Sequence, residues 1–162
     1  MRIISADSHV VEAADVYSGL AERFGDAAPR VMYENTVRDA IIVPALGRRG
    51  IRRRMAFAGL RLREGVEVER RHGRKPEVDD TSGDEVKEIL SRGYAGMRAG
   101  VRDGAARRED QDVDGVDLEF LYPGFFGMFS FEDSELLIAC QRNYNDWLSD
   151  YAGAAGGRLY GL

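Results

Sequence analysis

The sequence predicts an α/β fold built around a parallel β-sheet. Three short apolar segments, near residues 2–6, 117–122 and 158–162, have the length and composition of buried strands. Apolar residues at helical spacing separate them, most clearly over residues 133–151. Because strands that alternate with helices usually pair in parallel, this order indicates a βαβα arrangement in a single domain covering residues 1–162.

The N-terminal third predicts one helix and two further strands. Residues 12–24 have apolar side chains at helical spacing, and Asp15 is a candidate N-cap near their start. Two β-like runs follow at residues 30–33 and 37–43, and a proline and a glycine end the second run.

Residues 48–75 carry an unusual density of positive charge. This stretch holds eleven Lys or Arg residues against three Glu, whereas the whole chain has a net charge of −5. Apolar and charged residues alternate within it, which is typical of exposed strands. A nucleic-acid-binding surface is one interpretation, but neither interleaved aromatic residues nor a helix-turn-helix pattern accompanies the arginines. We favour a peripheral β excursion whose arginines pair with the acidic remainder, with His72 as a solvated loop residue.

The second half of the chain predicts the rest of the sheet and its covering helices. Helical patterns begin near Asp84, at residues 104–113 and at residues 133–151. The strand over residues 117–122 ends at a proline, and the last strand begins at residue 158.

Asp7 and His9 are the strongest candidates for chemistry. They close the first predicted strand, and alternate residues of a strand point to the same side. In parallel α/β folds the carboxyl end of a strand faces the active site. A carboxylate and an imidazole placed together can bind a divalent metal, or act as a base and its orienting partner. From these residues alone, a turn with a surface histidine is the favoured interpretation, because an Asp-x-His triplet by itself is a weak signal.

Three longer segments carry a family resemblance. Residues 4–12, ISADSHVVE, resemble the opening of the amidohydrolase-related family, in the branch that includes aminocarboxymuconate-semialdehyde decarboxylases. Residues 112–123 resemble the family's passage from a helix into strand two, and residues 144–162 resemble its helix two and the beginning of strand three. The segments follow the family's order, and of the chain only residues 36–75 lack a match.

The resemblance implies the N-terminal part of a (β/α)8 TIM barrel of the metal-dependent hydrolase type. Asp7 and His9 are then two ligands of a divalent Zn or Mn ion. The implied activity is hydrolysis or non-oxidative decarboxylation of a small carboxylate or amide substrate. Phe125, Phe126 and Met128, in a loop after strand two, are either an apolar wall for that substrate or residues packed beneath a neighbouring helix.

The same resemblance implies that the barrel is incomplete. The family has eight strands and takes a further metal-binding histidine and an aspartate from later ones, whereas this sequence supplies about three strands. We therefore expect an N-terminal fragment that is inactive in isolation. Its open edges, with Leu118, Phe120 and Leu121 facing water or a partner, favour a homo-oligomer. The alternative function is that of a catalytically inactive truncated barrel that acts as a binding or interaction protein.

The composition of the chain limits its expected cellular location and binding partners. The chain has one cysteine, and its N-terminus has too short an apolar run for a signal peptide. It also has no run of about 18 apolar residues, the length that a membrane span needs. We expect a cytoplasmic protein with a small-molecule substrate, and neither nucleic acid nor membrane as a partner.

Overall fold

A computed structural model describes residues 2–36, 39–53, 91–124 and 131–162. Within these ranges the chain is a mixed α/β structure with one parallel sheet and one small antiparallel sheet. The strands are β1 (Ile4–His9), β2 (Arg30–Met32), β3 (Ala40–Ile42), β4 (Ile51–Arg53), β5 (Leu118–Tyr122) and β6 (Leu159–Gly161). The parallel sheet has the order β1-β5-β6, and the antiparallel sheet has the order β2-β3-β4.

Four α-helices accompany the strands in the described residues. They are α1 (Leu20–Phe24), α2 (Ala99–Arg102), α3 (Gly104–Asp114) and α4 (Ser134–Gly153). Short 3-10 helices lie at Ala14–Tyr17, Gly25–Ala27, Pro44–Gly50 and Gly93–Gly96. None of the helices in the described ranges is long and apolar enough to cross a membrane.

Aspartate side chains begin both helices that flank the parallel sheet. Asp103 Oδ1 accepts a hydrogen bond of 2.8 Å from the backbone N–H of Ala105, at the start of α3. Asp133 Oδ1 accepts bonds of 2.9 and 3.1 Å from the N–H groups of Glu135 and Leu136, at the start of α4. Both caps satisfy donors that a helix leaves without a partner, so the two helices begin at positions that the sequence determines.

The main core lies between one face of the parallel sheet and α4. Leu121 of β5 and Leu159 of β6 point into it. They meet a buried stripe of α4 formed by Leu136, Ala139, Cys140, Tyr144, Leu148 and Tyr151. These positions recur every three or four residues, which is the spacing of one helix face. The helical prediction for residues 133–151 is therefore confirmed, with the helix running two residues further.

The opposite face of the parallel sheet is largely exposed. Ile4 and Tyr160 are 54% and 47% exposed, and the rings of Phe120 and Tyr160 lie 5.7 Å apart. The expectation that Leu121 faces water or a partner is wrong, because Leu121 is fully buried. Successive residues of β5 point to opposite sides, so Phe120 and Leu121 cannot share one environment.

Two predictions for the N-terminal third are wrong in detail. The expected helix over residues 12–24 is a 3-10 helix followed by the separate α1, with Gly19 between them at a φ of +73°. That left-handed conformation favours glycine and interrupts an α-helix. Asp15 therefore lies inside the 3-10 helix and Ala13 occupies its N-cap position. The first strand is also longer and more exposed than expected, since residues 7–9 belong to it.

The start of the arginine-rich stretch belongs to the small antiparallel sheet. β4 pairs with β3, and Val43 N donates a hydrogen bond of 2.8 Å to Gly50 O just before that pairing. The predicted excursion over residues 48–75 thus begins with the end of a 3-10 helix, followed by β4 as the third strand of this sheet. Its continuation beyond Arg53 lies outside the described residues, as does His72. The predicted helix near Asp84 also falls outside them, apart from its last residues.

Candidate functional site

Asp7 and His9 lie in the last three residues of β1, at the carboxyl edge of the parallel sheet. His9 is paired in register with Tyr122, the last residue of the neighbouring strand β5. The two side chains share one side of β1, and the Asp7 Oδ1 and His9 Nε2 atoms are 3.5 Å apart. Both are accessible, with side-chain exposures of 89% and 45%. This placement agrees with the sequence-based expectation, whereas metal binding itself stays a prediction.

An irregularity in β1 sets the direction of these side chains. Ser5 is paired with Glu119 and Ser8 with Leu121, so β1 has one more residue than β5 between the two pairs. Such a bulge shifts the alternation of side chains by one position. As a result the hydroxyls of Ser5 and Ser8 meet at 2.7 Å, although the residues are three apart. Ser8 is buried towards the helices, and its two neighbours point away from them.

The imidazole of His9 is held at its other nitrogen. His9 Nδ1 lies 3.2 Å from the backbone oxygen of Pro123, which directly follows β5. A carbonyl oxygen only accepts, so Nδ1 donates the hydrogen bond. In the neutral ring this leaves the lone pair on Nε2, the nitrogen that faces Asp7. Histidine ligands of metals are held in this way, with one nitrogen fixed by a backbone carbonyl or a carboxylate.

The separation of Asp7 and His9 fits two donors around one cation. At 3.5 Å, the Oδ1–Nε2 distance exceeds the roughly 2.8 Å of a charge-assisted hydrogen bond. Two atoms that each lie about 2.1 Å from a tetrahedral zinc ion are about 3.4 Å apart. The two side chains therefore fit as part of a metal site. Within the described ranges, no group of three or more His, Cys, Asp or Glu residues that could hold a metal ion is found.

A largely buried ion pair lies beneath the Asp7–His9 segment, on the helix side of the sheet. Arg107 of α3 and Glu119 of β5 have side-chain exposures of 17% and 12%. Arg107 donates from Nε to Glu119 Oε2 at 2.8 Å and from Nη2 to Glu119 Oε1 at 3.2 Å. This is the bidentate geometry in which arginine binds a carboxylate most strongly. Glu119 is therefore a salt-bridge residue.

The ion pair extends to three further groups. Ser8 Oγ donates to Glu119 Oε1 at 3.0 Å, and Gln111 Nε2 donates to Glu119 Oε2 at 3.3 Å. Arg107 Nη1 approaches the backbone oxygen of His9 at 3.4 Å, a longer and weaker contact. Because the single Ser8 proton is used for Glu119, the Ser5 hydroxyl is the donor in the bond between the two serines.

The charge of Arg107 is stabilised where it lies. Burial acts to lower the pKa of the guanidinium, but the hydrogen bond to Glu119 and the interactions with Tyr151 and Glu119 outweigh it, so the pKa is raised. Arg107 is therefore a permanent cation, and Glu119 is the carboxylate that compensates it.

Glu12 is a buried acid that the sequence did not single out. Its residue exposure is 3%, and it lies at the same edge of the sheet, beside Gly124. A Cβ atom on Gly124 would clash with the backbone oxygen of Val10 and lie 2.9 Å from Glu12 Oε2, so the approach of the Val10 backbone favours a residue without a side chain here. Together with burial, the Glu12 charge raises the pKa of Tyr144. Glu12 is the last residue of the ISADSHVVE segment, but the sequence pattern places it in the predicted helix over residues 12–24 rather than in the candidate site.

The predicted apolar wall is not part of the described structure. Phe125, Phe126 and Met128 fall in residues 125–130, which lie outside the described ranges. Whether they line a substrate site or pack beneath a helix thus stays a prediction. In the part of α4 that faces the core, Tyr144 is buried and Trp147 packs, partly buried, against it.

Comparison with models of protein families, with curated proteins and with solved structures finds no match to this chain.

Proposed function

We propose that this chain binds a divalent metal ion, Zn²⁺ or Mn²⁺, through Asp7 and His9, as part of a site for a small carboxylate or amide substrate. The observation that carries the proposal is the arrangement of His9. Its Nδ1 is held by the Pro123 carbonyl, and its Nε2 lies 3.5 Å from the accessible Asp7 carboxylate. A histidine and an acid at the carboxyl edge of a parallel sheet occupy the position where α/β enzymes bind substrates.

The residues of the chain have separate tasks in this proposal. Asp7 supplies a negatively charged oxygen, and His9 supplies a neutral nitrogen whose tautomer Pro123 maintains. A bound divalent ion supplies either a water whose pKa falls towards about 7 or a charge that polarises a substrate carboxylate. The accessibility of both side chains leaves room for a substrate beside them. Hydrolysis and non-oxidative decarboxylation are both compatible with this arrangement.

The amidohydrolase-related family and its (β/α)8 barrel are part of the same proposal. The support is the sequential parallel order β1-β5-β6, with α4 covering one face of the sheet. The first strands of a barrel have this order, although doubly wound sheets also contain it. The homo-oligomer, the cytoplasmic location and the inactive, interacting alternative remain predictions beside it.

The test is metal binding by isothermal titration calorimetry, on the full chain after treatment with a chelator. We expect Asp7→Asn and His9→Ala to weaken Zn²⁺ binding by at least roughly tenfold, because each removes one of two protein donors. The matched controls are His72→Ala, which alters the only other histidine, and Asp150→Asn, an exposed acid of α4. Unchanged affinity in His9→Ala would refute the site.

A second measurement separates an enzyme from a binding protein. The metal-loaded chain is screened for hydrolysis and decarboxylation of small aromatic and aliphatic carboxylates and amides. Turnover that disappears in His9→Ala supports the enzyme. Metal binding through Asp7 and His9 without turnover supports the alternative of an inactive barrel that binds its ligand.

A further inference from the structure

We propose that the Arg107–Glu119 ion pair is a positioning unit that holds Asp7 and His9 at the spacing needed to bind a metal. Neither residue is itself a ligand, since both side chains lie on the helix side of the sheet. The inference rests on the proposed function and adds to it. The metal affinity of Asp7 and His9 depends on a contact between α3 and β5, and both of these elements lie about one hundred residues after β1 in the sequence.

The first step of the argument is that the unit is rigid. Glu119 accepts two hydrogen bonds from Arg107, one from Gln111 and one from Ser8, so both carboxylate oxygens have two donors each. Gln111 is 3% exposed and also donates to the backbone oxygen of Arg158 at 3.3 Å, which ties the unit to the beginning of β6. A bidentate pair with this number of bonds has few alternative orientations.

The second step is that the unit contacts β1 between and next to the two candidate ligands. Ser8 stands between Asp7 and His9, and its hydroxyl is bonded to Glu119 at 3.0 Å. The backbone oxygen of His9 is approached by Arg107 Nη1 at 3.4 Å. Neighbouring residues of a strand point to opposite sides, so fixing Ser8 towards the helices fixes both neighbours away from them. Rotation of Ser8 would change the 3.5 Å spacing of Asp7 Oδ1 and His9 Nε2.

The third step is that stability alone does not account for the unit. A buried ion pair is often no more stabilising than apolar side chains of similar volume, because desolvation opposes the Coulomb attraction. The bulge in β1 is the feature that turns Ser8 towards Glu119. Bulges of this kind occur next to functional sites, where they redirect side chains.

α3 also provides a matched control for the unit. Asp112 forms an ion pair with Arg158, which in turn donates to the backbone oxygens of Val116 and Asp117 at 2.6 and 3.1 Å. The hydrogen bonds of this second pair therefore join α3 to the segments before β5 and β6, and none of those described goes to β1. Asp112→Asn perturbs the same helix without touching the Asp7–His9 segment.

The experiment compares Ser8→Ala, Glu119→Gln and Asp112→Asn with the wild type. Zn²⁺ affinity is measured by calorimetry, and folding is measured by thermal unfolding in the presence of a chelator. We expect Ser8→Ala and Glu119→Gln to weaken binding roughly 10- to 100-fold, as is typical when groups that orient a metal ligand are removed. Asp112→Asn should bind as the wild type does, even if its unfolding midpoint falls. Ser8→Ala keeps the ion pair intact, so it tests the unit even if Glu119→Gln fails to fold.

A metal-free readout separates this inference from the proposed function. The ¹⁵N shifts of the His9 ring report its tautomer, and His72 serves as an internal reference. Loss of the Nδ1-protonated signature in Ser8→Ala, with an unchanged His72, supports the positioning unit whether or not zinc binds. Unchanged His9 shifts in both Ser8→Ala and Glu119→Gln overturn it. A zinc affinity that falls in Asp112→Asn as much as in Ser8→Ala and Glu119→Gln also overturns the positioning unit. Absence of zinc binding in the wild type overturns only the proposed metal site.

Discussion

Two tyrosines of α4 should respond in opposite directions to the same substitution. Tyr144 and Tyr151 lie two turns apart and are 4% and 5% exposed. The Tyr151 hydroxyl donates to the backbone oxygen of Gly100 and also interacts with Arg107. The Tyr144 hydroxyl is buried and has no hydrogen-bond partner among the described residues. Replacing each tyrosine by phenylalanine removes only the hydroxyl, so the comparison isolates the effect of the hydrogen bond.

The magnitudes follow from the cost of a buried polar group. A hydroxyl that is buried without a partner costs about 1–3 kcal/mol, whereas a satisfied hydrogen bond contributes about 1 kcal/mol. Tyr144→Phe should therefore raise the free energy of unfolding by about 1 kcal/mol. Tyr151→Phe should lower it by about 1–3 kcal/mol, because the Gly100 carbonyl then loses its donor. For a chain of this length, about 1 kcal/mol corresponds to a change in Tm of about 2–4 °C.

The assay is urea unfolding followed by circular dichroism, with thermal unfolding as a second measurement. Both variants should keep the wild-type dependence on urea concentration, so that the midpoint alone reports the difference. A loss of more than about 1 kcal/mol in Tyr144→Phe would show that its hydroxyl is satisfied in solution, for example by a buried water. Equal losses in the two variants would refute the reasoning as well.

Three further predictions concern the same core. Burial raises the pKa of the Cys140 thiol to about 11, so thiol reagents at neutral pH should label it only as fast as the chain unfolds, whereas a rate equal to that of a free thiol would contradict this. Gly104→Ala should lower the free energy of unfolding by about 1–3 kcal/mol or more, because the added Cβ atom would lie 1.8 Å from the backbone oxygen of Tyr151. Gly153→Ala has open space around the added Cβ atom, so in the same thermal assay it should leave the free energy of unfolding unchanged or raise it slightly. Burial and then the Glu12 charge raise the pKa of Tyr144 above its ordinary 10.0, so the unfolded chain loses this proton first and stability should fall as the pH rises above 10.0. Tyr144→Phe should weaken that decline in pH-dependent urea unfolding.

The elements that the sequence predicted well are those whose pattern is local. α4 has a helical stripe and an aspartate cap, and β5 is ended by a proline, so each is determined by neighbouring residues. The region around Gly19 was predicted less well, because a single left-handed residue interrupts an otherwise helical pattern. Nothing in the spacing of the apolar residues marks that conformation.

The candidate site also contains residues that the sequence predicted and residues that it did not. Asp7 and His9 were found because a strand of alternating residues places them on one side. The Arg107–Glu119 pair was missed because no helical or strand spacing relates a residue of α3 to a residue of β5, and α3 has the composition of an exposed helix. One signal was available: Glu119 and Leu121 share a face of β5, and an acid on a buried face requires a partner.

The two faces of β1 therefore have different roles in one short segment. The bulge turns Ser8 towards the Arg107–Glu119 pair, and the same turn leaves Asp7 and His9 together at the accessible edge. A regular strand would place Ser5 and Ser8 on opposite sides and break this connection. The position of the bulge, rather than the presence of an acid and a histidine alone, is then what makes this segment a candidate metal site.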